Sequence, residues 1–167
     1  MRAISRLLNT SVDLNDVAGG NGYLFVRDGV GVAAQGVIAR VSFDSAETFL
    51  ASIDHDNRTG IDIAPLALGV LPFNPLESAE LIIPRVTVGK NEEGQSWITF
   101  IATTEDEFPL ALTARSPDIS PAEIGLTLAA PPAAQAGEFS VTQATSLDTY
   151  RSAVLAIRDA VRRGEIT

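Results

Sequence analysis

Two strand-forming segments joined by Asp28-Gly29 constrain this chain more than any other feature. Gly22-Tyr23-Leu24-Phe25-Val26-Arg27 is rich in aromatic and β-branched residues, which suit a pleated, half-buried surface. Aspartate and glycine tolerate the positive φ that a two-residue hairpin turn demands. The turn therefore predicts a return strand, which reads from residue 30 to residue 43. In it Val37, Ala39 and Val41 alternate with Ile38, Arg40 and Ser42. Gly31 and Gly36 inside that strand predict a bulge or a close backbone neighbour.

Further elements follow. Asp44 or Ser45 caps a short helix running to about residue 54, with Phe49, Leu50 and Ile53 as its apolar stripe. The polar stretch 55–60 ends it as a solvated exit. Residues 64–73 are almost continuously apolar, which predicts a strand covered on both faces. Pro72 closes that run, and Asn74-Pro75 reads as a turn. Residues 79–90 and 95–103 read as two more strands around the polar connector Asn91-Glu92-Glu93-Gly94. Trp97, Thr99 and Ile101 would share one face of the second, opposite Ile98, Phe100 and Ala102.

Beyond residue 104 the pattern loosens. Pro109, Pro117, Pro121, Pro131 and Pro132 punctuate it. Three regions are expected: a β-rich part over 1–128, a linker over 129–137, and a second part over 138–167. The last begins with a short extended segment at 139–142 and continues as a helix. Ser146 or Asp148 caps that helix, and Tyr150, Val154, Ile157 and Val161 fall on one face. Arg158, Arg162 and Arg163 offset the negative end of its dipole, and Gly164 ends it. The strand-like Glu165-Ile166-Thr167 after so clean a stop leads us to expect a further element beyond it.

Composition limits what such a chain can do. Its 167 residues are 46% hydrophobic with a mean hydropathy of +0.18, enough for a real core. The formal net charge is −9, so phosphate-rich partners are disfavoured, nucleic acid and anionic membrane alike. Lys90 is the single lysine, and there is no cysteine, which removes disulfides and thiolate chemistry. The basic start at Arg2 and Arg6 is followed by polar residues 9–16 rather than an apolar stretch, so it does not read as a signal peptide. No run approaches the ~18 apolar residues of a membrane span. A cytoplasmic location is expected.

Each motif that suggests chemistry has a plainer reading. Gly29-Val30-Gly31-Val32-Ala33-Ala34 matches a dinucleotide fingerprint, but the mechanism needs a helix next and the chain continues as strand. Asp54-His55-Asp56-Asn57-Arg58-Thr59-Gly60 concentrates oxygen ligands around the only histidine. Its spacing suits neither a calcium loop nor a zinc site. Glu105-Asp106-Glu107 reads as a solvated acidic turn rather than a catalytic pair. No Gly-x-Ser-x-Gly elbow is present. No catalytic, cofactor-binding or metal-binding residue is assigned.

Three stretches nevertheless resemble the N-terminal region of isochorismate synthases, members of the chorismate-utilising enzyme family. The first runs from the Gly22–Arg27 segment through Ala39-Arg40-Val41. The second is Leu68-Gly69-Val70-Leu71-Pro72-Phe73-Asn74-Pro75 with Leu81-Ile82-Ile83-Pro84. Here Asn74 replaces the family's usual aspartate. The third is residues 150–167, similar to the helix before the family's Lys-Val-Val-Leu-Ala-Arg strand. The resemblance implies an α+β layered fold of mainly antiparallel sheets with flanking helices, incomplete in this chain. It also implies magnesium-dependent conversion of chorismate to isochorismate, serving menaquinone or siderophore biosynthesis. The family's lysine base, its acid and its magnesium carboxylates have no counterpart here, because Thr167 would stand just before the lysine. An inactive N-terminal fragment is therefore expected. Salicylate and anthranilate synthase fragments, or a free-standing protein-binding domain without catalysis, are the alternatives.

Overall fold

The computed structural model describes residues 1–74, 78–114, 118–126, 128, 142 and 144–165. The chain divides into two units, Met1–Pro132 and Ala133–Thr167. The fold is α+β with mainly antiparallel sheets and a few flanking helices.

In the first unit the expected hairpin forms β2 (Tyr23–Arg27) and β3 (Val30–Gln35), with Arg27 opposite Val30. Asp28 and Gly29 take φ of 53° and 79°, so both turn positions are left-handed, as such a turn requires. The return strand does not run on to residue 43. It breaks at Gly36 and resumes as β4 (Ala39–Ser42) in a different sheet. The expected strand over 79–90 breaks likewise, into β7 (Glu80–Ile83) and β8 (Val86–Lys90), at Pro84 and Arg85.

These two breaks face each other. Gln35 pairs with Val86 and Ala39 with Ile83. The first strand thus spends four steps where its partner spends three, and the extra residue makes a bulge. Gly36, with φ of 66°, supplies the left-handed position. The ribbon bends there, so that one antiparallel pair contributes to two sheets.

β1 (Arg2–Leu8) was not foreseen from the sequence, yet it is an inner strand. It lies antiparallel to β9 (Ser96–Ala102) and parallel to β5 (Asp54–Asn57) and β10 (Asp118–Ile119). Among the described residues the large sheet runs β10-β1-β9-β8-β3-β2, with β5 also on β1. The small sheet runs β4-β7-β6, where β6 is only Leu68–Gly69. The apolar run 64–73 is therefore not a covered strand: Val70, Leu71 and Phe73 are exposed, Phe73 completely. The connector at 91–94 closes β8 onto β9 as expected, and Trp97 packs on Gly89 across the pair, leaving no room for a Cβ.

One core covers a face of the large sheet. Ile4, Val88 and Ile98 meet Leu14 and Val17 of α1 (Leu14–Ala18) and Leu112 of α3 (Leu110–Thr113). A second joins the two sheets through Ala3, Ile101 and Ile83. Phe49 and Leu50 of α2 (Phe43–Ala51) and the following Ile53 close it, as the apolar stripe predicted. That helix spans Phe43–Ala51 with Ser42 as N-cap, slightly earlier than the cap expected at Asp44 or Ser45. Each fully buried isoleucine contributes roughly 1.5–3 kcal/mol.

In the second unit the described element is α4 (Leu147–Arg162). Ser146 caps it by accepting from the Thr149 amide at 3.2 Å. Gly164 ends it in a left-handed conformation, with Glu165 N–H donating to Ala160 and Gly164 N–H to Val161, the paired bonds of a Schellman motif. Tyr150, Val154, Ile157 and Val161 are all exposed. The linker expected at 129–137 and residues 139–141 lie outside the described residues, as does Pro75 of the expected turn.

Candidate functional site

The densest polar arrangement of the first unit lies where β5, β1 and β9 run side by side. Parallel pairing sets Ala3 beside His55 and Ile4 beside Asp56, so alternate residues serve opposite faces. On one face the Ser5 hydroxyl lies 2.7 Å from His55 Nε2 and 2.7 Å from Thr99 Oγ1. On the other, Arg6 Nη2 donates to the Asp56 carboxylate at 2.9 Å. Arg6 Nη1 donates to the carbonyls of Asp56 at 3.1 Å and Ser5 at 2.7 Å. The Arg6 side chain is 1% exposed, yet its Nε has no partner.

Stretch 54–60 is thus a paired strand and its exit, not merely a solvated helix end. Burial pushes the His55 imidazole below its ordinary value, against the pull of Asp56 and Asp54. Burial would raise Asp56, but hydrogen bonds from Arg6 and Arg58 outweigh it and hold the carboxyl low. Arg58 Nε reaches Asp56 at 3.0 Å, and Arg2 lies 3.7 Å away.

A serine and an imidazole at 2.7 Å have the spacing of a nucleophile and its base. The surroundings oppose that role. Ser5 is completely buried and shared between His55 and Thr99. Neither neighbouring carboxylate orients the ring: Asp56 turns to Arg6, and Asp54 is exposed, 3.9 Å from Arg2. The arrangement ties three strands together.

The other sequence motifs are equally structural. Residues 29–34 form the hairpin turn and β3, followed by the bulge and not by a helix. Glu105–Glu107 is a single 3-10 turn. Two of its carboxylates hold arginines, which the solvated-turn reading did not anticipate. Glu105 takes Arg2 at 2.7 Å and Glu107 takes Arg85 at 2.6 Å. Hydrogen bonds from Thr103 and Arg85 lower the Glu107 carboxyl to about 2. Arg158 and Arg163 of the last helix pair with Asp159 and Glu165. Sequence reading missed Arg2, Ser5 and Arg6; the alternation of Ile4, Arg6 and Leu8 against Ala3, Ser5 and Leu7 was the available signal.

Magnesium asks for several convergent oxygen ligands. The carboxylates of Asp56, Glu105 and Glu107 are each engaged by guanidinium groups. No group of three or more His, Cys, Asp or Glu able to hold a metal ion occurs among the described residues. They do not fit a magnesium site. Among the described residues, too, no helix is long and apolar enough to cross a membrane.

Fold and geometry together define an α+β protein in which the polar cluster of β5, β1 and β9 holds strands in place. No protein-family model, curated protein or solved structure matches this chain.

Proposed function

We propose that this chain is the N-terminal scaffold of an isochorismate synthase, cytoplasmic and inactive alone. One observation carries the reading. Parts of the first two stretches quoted for the resemblance come together as the small sheet. Ala39–Ser42, Leu68–Gly69 and Glu80–Ile83 are its strands, with Ala39 beside Ile83 and Leu68 beside Ile82. Such a convergence is what a shared structural motif produces.

In the complete enzyme, water would add to chorismate while the original hydroxyl leaves. Magnesium bound there would neutralise charge on the substrate carboxylate. The described residues offer no donor set for that ion, so base, acid and metal ligands would belong to polypeptide following Thr167. A second reading, a non-catalytic protein-binding domain, draws on the exposed apolar residues Val70, Leu71 and Phe73.

The gene read in frame past codon 167 should continue into a Lys-Val-Val-Leu-Ala-Arg strand. The longer product should convert chorismate to isochorismate with magnesium, as followed by chromatography, while the present chain should not. A stop codon at that point, or turnover by the present chain, would overturn the proposal.

A further inference from the structure

β5 is joined to the large sheet through β1 alone, over four residue pairs. Short parallel pairing at an edge is a weak attachment by itself. Two backbone bonds extend it, Asp54 N–H to Met1 at 3.3 Å and Arg58 N–H to Ser5 at 3.2 Å. The remaining hold comes from side chains on both faces. Below lies the chain of hydroxyls from His55 through Ser5 to Thr99, and above lies the clamp of Arg6 on Asp56. β5 follows α2 in the chain through Ile53, which with Phe49 and Leu50 closes the core between the sheets, while α2 itself packs on β4 and β7.

We propose that β5 is an acid-released latch on the edge of β1, held by His55 on one face and by Asp56 on the other.

The chemistry of the lower face sets the trigger. The latch requires the neutral tautomer with the proton on Nδ1, whose free Nε2 accepts from Ser5, and the Ser5 oxygen can then accept from Thr99. A doubly protonated ring can only donate. Protonation therefore turns the His55–Ser5 bond round and leaves one hydroxyl hydrogen of the Ser5–Thr99 pair seeking another acceptor in a buried site, which is costly. The charged groups around the latch are Asp54, Asp56 and Arg58 on or next to β5, Arg2 and Arg6 on β1, and Glu105 after β9. Asp44 and Glu47 of α2 are exposed. Asp54 and Asp56 favour the imidazolium, but burial outweighs them.

The sign follows from linkage. The imidazole is lowered in the folded state, so its contribution is complete above the ordinary histidine value and is lost as pH falls through it. Asp56 is also lowered, so its clamp weakens in the same direction, further into acid. Both faces thus let go on acidification, His55 first.

Hydrogen–deuterium exchange on the intact chain tests this, with protection factors corrected for intrinsic rates at each pH. Peptides covering β5 should lose protection, by up to about tenfold, between about pH 7.5 and 5.5 while β8 and β9 keep theirs. His55 is the only histidine, so its ring signals in NMR report its titration directly, and the loss of protection should begin above the ring's midpoint and level off as the ring becomes protonated. His55→Gln, uncharged throughout, should remove the step. Unchanged protection of β5, joint loss with β8 and β9, a step that persists in the glutamine variant, or a loss lying wholly below the ring's midpoint would each overturn the proposal. Where the variant does not fold, the position of the wild-type loss relative to the ring's midpoint decides.

Discussion

β1 and the segment 64–73 invert the simplest expectation about sequence. Arg2–Leu8 carries two arginines and a serine, yet Ser5 and Arg6 are almost inaccessible. Residues 64–73 are nearly all apolar, yet Val70, Leu71 and Phe73 stand exposed. The difference lies in neighbours. β1 has ladder partners on both edges and cores on both faces, so its polar groups are enclosed whatever their preference. Burial is then tolerable because Asp56, His55, Thr99 and backbone carbonyls satisfy them. The apolar run finds ladder partners only at Leu68 and Gly69. Hydrophobicity states a preference, and pairing decides whether it is met.

The sharpest way to break this comparison is to remove the group that makes β1 unusual. Arg6→Ala strips a buried guanidinium from Asp56 and empties the space of its aliphatic stem. The expected loss is about 3 kcal/mol in urea unfolding. Arg6→Met restores the stem and should recover a measurable part. Equal midpoints for wild type and Arg6→Ala would mean that the buried ion pair contributes nothing, and β1 would no longer stand apart from the exposed run.

Local signals were read well from the sequence, and non-local ones were not. The Asp28-Gly29 turn, the 91–94 connector and the capped helix ending at Gly164 depend on residues within a few positions of one another. The breaks at Gly36 and at Pro84 and Arg85 depend on two segments about fifty residues apart meeting in one bulge. Gly36 predicts a bulge, but nothing local says that the strand changes sheets there. The polar cluster was hidden for the same reason. Ser5, His55 and Thr99 are brought together only by the order of β5, β1 and β9, so His55 alone looked like part of a solvated exit. The apolar run was overread because its composition fits a covered strand and carries no information about partners.

The bulge offers a test of intermediate size. Gly36→Ala keeps the chain polar pattern intact but puts a Cβ on a left-handed residue, 3.3 Å from the Arg85 Cβ. The expected cost is about 1–2 kcal/mol in thermal or urea unfolding. A neutral result would mean that the ribbon relaxes into one continuous strand, as the sequence suggested. The two-sheet arrangement would then not depend on this residue.

The smallest effect is expected at the other end of the comparison. Phe73 is a large aromatic side chain and is completely exposed. A phenylalanine taken fully out of water contributes about 2–3 kcal/mol, whereas substitution at an exposed site changes stability by less than about 0.5 kcal/mol. Phe73→Ser should therefore leave the unfolding midpoint where it is, and should reduce binding of a hydrophobic dye if Val70, Leu71 and Phe73 form its docking patch. A loss above about 1 kcal/mol would show that Phe73 is covered in solution. The segment would then behave as its composition predicts, and the contrast with β1 would collapse.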